Sequence, residues 1–161
     1  MLKIRSATPA DVPLILQFIR ELAEYERAPE EVRATETDLL RDGFGEQPKC
    51  RVVIAEWDNE PAGFAFFYNS YSTWRGHPGL HLEDLFVRPA FRGKGIGKAL
   101  LAHLAEIALR ENCYGLRWHV LDWNTPAIDF YKSLGGTFLD DWLIVRFDGE
   151  PLQRLAKEAG R

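Results

Sequence analysis

Three glycines and three basic residues fill one short stretch of the chain: Arg92, Gly93, Lys94, Gly95, Ile96, Gly97 and Lys98. A strand-like segment leads into it and stops before Pro89. Apolar helical periodicity starts at Ile96. Glycine allows positive φ and close backbone approach. The first amides of a helix have no internal partners and carry partial positive charge. Together these features make an anion site, well suited to a pyrophosphate. Two familiar phosphate patterns fail here. In G-x-x-x-x-G-K-S/T, Arg92 replaces the first glycine and Ala99 stands where a hydroxyl would ligate magnesium. In G-x-G-x-x-G the last glycine would fall at Lys98 or at Leu100. The pattern that fits is Arg/Gln-x-x-Gly-x-Gly/Ala, read from Arg92 to Gly97. A plain glycine turn with solvated bases is the competing reading of the loop taken alone.

Other residues have useful chemistry. Tyr131 carries a phenol of reference pKa about 10, which is protonated at neutral pH and can donate. On periodicity alone it also fits a core tyrosine of an amphipathic helix. Glu83 could draw a proton from an ammonium, directly or through water. It could equally be an outward strand residue paired with a base such as Arg117. Glu26 and Asp84 would attract a cation, although acidic residues are usually solvated surface. Cys50 and Cys113 lack C-x-x-C spacing and a flanking histidine that could activate them. No covalent intermediate is expected, and direct transfer between two bound substrates follows.

These residues need a scaffold. Residues 2–6 alternate as a short strand. Thr8-Pro9-Ala10-Asp11 opens a helix whose apolar face is Val12, Ile15, Ile19, Leu22 and Ala23. Thr35-Glu36-Thr37-Asp38 opens a second helix that Gly43 can end. Residues 52–55 and 63–68 read as strands joined by a turn at Asp58-Asn59-Glu60-Pro61. Strands are predicted at 80–87, 116–121 and 142–147. Helices are predicted at 96–110, from Pro126 to the stop at Gly135-Gly136, and at 153–158. The predicted order is β-α-α-β-β-β-α-β-α-β.

The composition agrees with one domain over residues 1–161. It is 46% hydrophobic and 27% charged, with a net charge of −4. A chain of this length builds a core without disulfide or metal. The acidic balance argues against a nucleic-acid partner. No apolar run approaches the ~20 residues of a membrane span, and the first residues lack a secretory leader. A cytoplasmic protein without a metal site is expected.

Four motifs in order carry a family resemblance. They are Tyr25-Glu26; Asp38-Leu39-Leu40-Arg41-Asp42-Gly43-Phe44-Gly45-Glu46; Leu82-Glu83-Asp84-Leu85-Phe86-Val87 ahead of the glycine loop; and Trp123-Asn124-Thr125-Pro126-Ala127-Ile128-Asp129-Phe130-Tyr131. With these the chain resembles the GNAT N-acetyltransferases over almost its full length, and among them the spermidine/spermine (diamine) group. The resemblance implies the α/β GNAT acyl-CoA N-acyltransferase fold: a mixed, mostly antiparallel central sheet with helices on both sides and two splayed strands. It implies acetyl-CoA as co-substrate, contacted by Leu85, Phe86 and Val87, by Arg92 to Lys98, and by Asn124, Thr125, Pro126 and Ala127. It implies amine contacts at Tyr25, Glu26, Glu83, Arg117, Trp118 and His119. Tyr131 becomes the proton donor, Glu83 a catalytic carboxylate, and a backbone N–H beside Leu85 to Val87 the oxyanion donor. A homodimer is implied as well. Asp122 stands where the group has Glu, the hairpin after residue 57 is short, and the C-terminal region differs. The acceptor stays a small cationic amine: a polyamine, a diamine or a related amino acid. The alternatives are a protein N-terminus or lysine, an aminoglycoside-like amine, or a silent acyl-CoA-binding module.

Overall fold

The computed structural model of the chain describes residues 1–160. They form two compact units, Met1–His119 and a second that begins at Val120. The first unit holds a five-stranded sheet. Its strands are β1 (Leu2–Ser6), β2 (Arg51–Trp57), β3 (Glu60–Ser72), β4 (His77–Val87) and β5 (Leu116–Arg117). They lie side by side in chain order. The first three pairings are antiparallel and β4–β5 is parallel. Three helices accompany them: α1 (Val12–Tyr25), α2 (Glu36–Phe44) and α3 (Ile96–Arg110).

The local signals explain the helix starts. Asp11 accepts hydrogen bonds from the Thr8 N–H and hydroxyl, and from Arg5 of β1. At α2 the Thr35 hydroxyl accepts from the Asp38 N–H, and Asp38 accepts from the Thr35 N–H. This reciprocal cap satisfies two otherwise orphaned donors. Asp58 and Asn59 both take positive φ, 50° and 68°. That is the backbone a tight β2–β3 hairpin requires.

Alternation then divides the core. Val52, Ile54 and Phe64 meet Val12, Ile15, Phe18 and Leu22 of α1 and Leu39 of α2 on one face of the sheet. Phe18 stacks on Phe64 with ring centroids 5.1 Å apart. Val53, Ala55 and Ala65 point the other way, where α3 packs along the strands through Ile96, Leu100 and Leu104. The helices therefore cover both faces, as expected.

Two departures from regular pairing matter most. Phe66 pairs with Asp84 and Phe67 with Leu82, so Glu83 has no partner across the ladder. Glu83 is a β-bulge. The β4–β5 ladder is also very short: Leu80 pairs with Leu116 and His81 with Arg117, and nothing further. Beyond His81, no described strand pairs with the outer edge of β4 along Leu82 to Val87.

The second unit contains α4 (Thr125–Ser133) and α5 (Gly149–Ala156). Here three expectations are corrected. The strand predicted at 116–121 stops at Arg117. Residues 142–147 are not a strand; Leu143, Ile144 and Val145 are 87, 74 and 80% exposed. A strand persists only where a neighbour pairs its backbone, and the described part of this unit has no strand to do so. The last helix begins at Gly149 rather than Gln153, with Pro151 tolerated in its first turn.

Gly63 faces Val87 across the β3–β4 ladder. A Cβ there would stand 2.4 Å from the Phe86 carbonyl oxygen. Gly63→Ala must push β3 from the end of β4 and should cost about 1–3 kcal/mol, read as a lower midpoint in urea unfolding. An unchanged midpoint would show that the strands can part freely.

Candidate active site

The bulge at Glu83 has a direct consequence for chemistry. Neighbouring strand residues normally face opposite sides of a sheet. A bulge breaks that rule and re-aims a side chain. Glu83 and Asp84 accordingly line the same cavity, of about 490 Å³, with Glu26 from the end of α1 and Glu31 and Arg33 from the chain that follows it. Ile19 and Leu22 supply apolar wall. The volume lies in the range of small-molecule sites.

The electrostatics of this cavity are unusual. Asp84 is largely removed from water, and its carboxyl is pushed up to about 7. Burial is the main cause, and the charges of Glu83 and Glu26 add to it. Glu26 is still open to solvent, yet loss of water around it also moves its carboxyl upward. At neutral pH the cavity therefore carries negative charge together with a carboxyl that titrates near 7.

On the β5 side of Glu83 stand three rings. His81 lies 4.9 Å from Tyr68 and 5.3 Å from His119 between ring centroids. Burial holds the His81 imidazole below its usual range, so it is neutral at pH 7. Its Nε2 lies 3.7 Å from the Glu83 carboxylate, too far for a hydrogen bond. Arg117 makes no ion pair with Glu83 among the described residues. Arg117 and His119 are exposed and Trp118 is partly buried.

At the other end of β4 the chain turns through residues 88–95 into α3. Gly93 and Gly95 take φ of 77° and 76°, and a Cβ on either would meet nothing within 4 Å. Gly95 is the left-handed residue capping α3. The first amides of α3 thus open onto a space that side chains leave clear. Lys94 lies over the Trp57 ring at 5.1 Å. Arg92 donates from Nε to the Val87 carbonyl, and its guanidinium sits 5.0 Å from the Tyr25 ring centroid and 5.9 Å from that of Phe86. The Tyr25 ring thus already carries a cation from its own chain. Arg88 fixes the strand end: it pairs with both Glu21 oxygens at 2.9 and 3.0 Å and donates to the Pro61 carbonyl. These contacts fit a bound pyrophosphate of the kind coenzyme A carries.

In the second unit Asn124 is buried and caps α4 by accepting from the Ala127 N–H. Thr125 and Pro126 form its first turn, and Tyr131 lies on the helix, partly buried, with Phe130 edge-on at 5.6 Å. The predicted site residues thus divide between the units: Tyr25, Glu26, Glu83, residues 85–87, residues 92–98 and residues 117–119 in the first, Asn124 to Ala127 and Tyr131 in the second. Asp84 was visible in sequence only as one more acid. Tyr68, His81 and Arg33 gave no signal, because their importance lies in what the sheet and cavity place beside them.

A mixed sheet that releases its fourth strand, with a glycine-capped helix amide cradle at the strand's end, is the architecture of an acyl-CoA-type transferase. The Acetyltransferase (GNAT) family model matches residues 15–136. Thialysine N-epsilon-acetyltransferase from Bos taurus is 43% identical, covering 95% of this chain and 96% of that one. Spermidine/spermine N(1)-acetyltransferase-like protein 1 from Homo sapiens is 37% identical over 97% of this chain and 24% of its own length. Among solved structures, an integron cassette protein from the V. cholerae mobile metagenome is 31% identical with a TM-score of 0.81, covering 97 and 98% of the two chains. The chain belongs to the GNAT acetyltransferase family, and it is an acetyl-CoA-dependent N-acetyltransferase.

The raised Asp84 carboxyl has a stability signature. The folded chain keeps this proton where an unfolded chain has lost it. Stability is therefore lost as pH climbs from the ordinary aspartate value of 3.8 through about 7. Asp84→Asn stays neutral throughout. Its melting temperature should gain on the parent as pH rises from 5 to 8, by scanning fluorimetry. Parallel curves would mean that Asp84 titrates as an ordinary surface acid.

Proposed function

We propose that this enzyme moves the acetyl group of acetyl-CoA directly to the primary amine of a small cationic amine. The observation that carries the reading is β4 itself. One strand brings an acidic cavity at Glu83 and Asp84, then a free backbone edge, then the helix amide cradle of residues 92–98. The relatives support it, since their names specify thialysine and point to spermidine and spermine.

Each residue then has a task. The cavity carboxylates Glu26 and Glu83 hold the cation. An ammonium has no lone pair, so one proton must leave before attack. Asp84 is the group best matched to accept it, because a base works best with a pKa near the working pH; Glu83 beside it acts as its charge partner. The amine nitrogen bonds to the acetyl carbon and the carbon–sulfur bond breaks. An outward N–H among residues 85–87 stabilises the charge that grows on the carbonyl oxygen. Tyr131 gives its proton to the departing sulfur, and the second proton that the nitrogen sheds on becoming an amide replaces it on the phenolate. Residues 92–98 and the cap of α4, from Asn124 to Ala127, hold coenzyme A. Tyr25, Arg117, Trp118 and His119 border the amine. No metal enters this chemistry.

The family model runs across the boundary between the two units, which supports one acetyltransferase domain. We place the enzyme in the cytoplasm, in keeping with its two unpaired cysteines; recovery from an oxidising compartment would contradict this. We also propose a homodimer, because the exposed apolar run at 142–147 marks an interaction surface. Sedimentation equilibrium should give twice the 18.4 kDa chain mass; a monomer at micromolar concentration would remove the dimer.

The decisive kinetic test combines an amine panel with one variant. Coenzyme A release should need an amine and favour acceptors with a second positive charge over neutral-tailed monoamines. Tyr131→Phe keeps the ring and should lower turnover by roughly 10²-fold or more, with acetyl-CoA affinity by calorimetry little changed. An unaltered rate would return Tyr131 to a packing role.

A further inference from the structure

The acidic cavity contains one residue of the wrong sign for a polycation. Four carboxylates line it, from Glu26, Glu31, Glu83 and Asp84, and Arg33 is its single base. Three other arginines of the first unit are matched to carboxylates. Arg5 grips Asp11 and Glu56, Arg51 grips Glu111, and Arg88 grips Glu21, each at 2.7–3.0 Å. Arg33 has no ion-pair partner among the described residues, although Glu31 is two positions away.

Its placement is nonetheless defined. The turn Pro29–Glu31 is closed by the Glu31 N–H donating to the Ala28 carbonyl at 3.1 Å. Val32 and Ala34, on either side of Arg33, pack against the core beneath α1 and α2. Two residues later the Thr35–Asp38 cap anchors the chain again. The backbone of Arg33 is thus pinned at the cavity wall while its guanidinium is left uncommitted. In a site built only for ammonium groups such a charge would repel the ligand. Beside several carboxylates it instead matches a head group that carries both signs.

We propose that Arg33 reads a carboxylate on the substrate and is the residue that favours a basic α-amino acid, the class of acceptor in the thialysine relatives' name, over a polyamine. The guanidinium fork takes the α-carboxylate, whose geometry it matches with two parallel hydrogen bonds. The cavity carboxylates take the α-ammonium. The side-chain amine is then the nitrogen presented for acetylation. This specificity rests on the cavity being the amine site.

The test uses the full chain and acceptors matched in length: lysine, lysine amide and cadaverine, with ornithine and putrescine as a shorter pair. The parent enzyme should prefer each amino acid to its amide or decarboxylated partner. Arg33→Ala should raise KM for lysine and ornithine about tenfold, the size of one exposed charge-assisted contact. It should leave kcat nearly unchanged and leave KM for cadaverine and putrescine equal or lower. Arg33→Lys should recover part of the loss, since it keeps the charge but not the fork. Equal loss on all acceptors in Arg33→Ala would show a structural role and overturn the proposal. Lysine amide used as well as lysine by the parent would overturn it too, while leaving the acetyltransferase reading intact. If the parent acetylates none of these amines, the assignment of the cavity as an amine site falls, and the role of Arg33 falls with it.

Discussion

The site depends on a strand that is held on one edge and released on the other. Apart from the bulge at Glu83, β4 pairs with β3 from end to end, and Gly63 lets the two backbones close tightly at Phe86 and Val87. On its outer edge β5 pairs with Leu80 and His81 alone. From Leu82 to Val87 no described strand pairs with the outward backbone groups of β4. The Arg88–Glu21 pair, with Arg88 over Phe18 at 4.7 Å, ties the released end of the strand to α1 and the core. A preorganised donor of this kind stabilises developing charge without reorganising when the reaction occurs.

Charge is sorted along the same strand. Negative groups gather where the bulge turns Glu83 and Asp84 into one cavity. Positive groups and helix amides gather beyond Val87, where φ above 70° at Gly93 and Gly95 opens the turn. The negative groups thus lie three to four residues before the end of β4 and the positive groups just beyond it, an order that suits the cationic acceptor and anionic donor we propose. Crowding the acids has a cost, since burial and neighbouring charge oppose ionisation of Asp84. The same crowding gives the base that we propose a pKa suited to neutral pH.

Much of this was legible in the residues. The helix caps at Thr8 and Thr35, the Asp58-Asn59 turn and the glycine loop are local devices, so spacing alone located them. The Glu83 bulge was not legible, because residues 82–87 read as a smooth strand and the register belongs to β3 as much as to β4. The length of β5 and the exposed state of residues 142–147 also depend on which backbones are available to pair. Arg33 lies in a connection where a basic residue ordinarily means solvent. Only the cavity shows the acids around it. The family resemblance gave roles to Glu26, Glu83 and Tyr131, whereas Asp84, within the same motif as Glu83, stood only as one more acid.

The central claim is direct transfer from acetyl-CoA to a cationic amine held at β4. It is tested most directly by mixing the enzyme with acetyl-CoA, first without and then with a basic amino acid or diamine, and following both free thiol and intact protein mass. Direct transfer predicts no thiol release and no acetylated protein until the amine is added, then one acetylated amine for each thiol released. A stoichiometric burst of thiol with an acetyl group on the protein, formed before any amine is present, would contradict it.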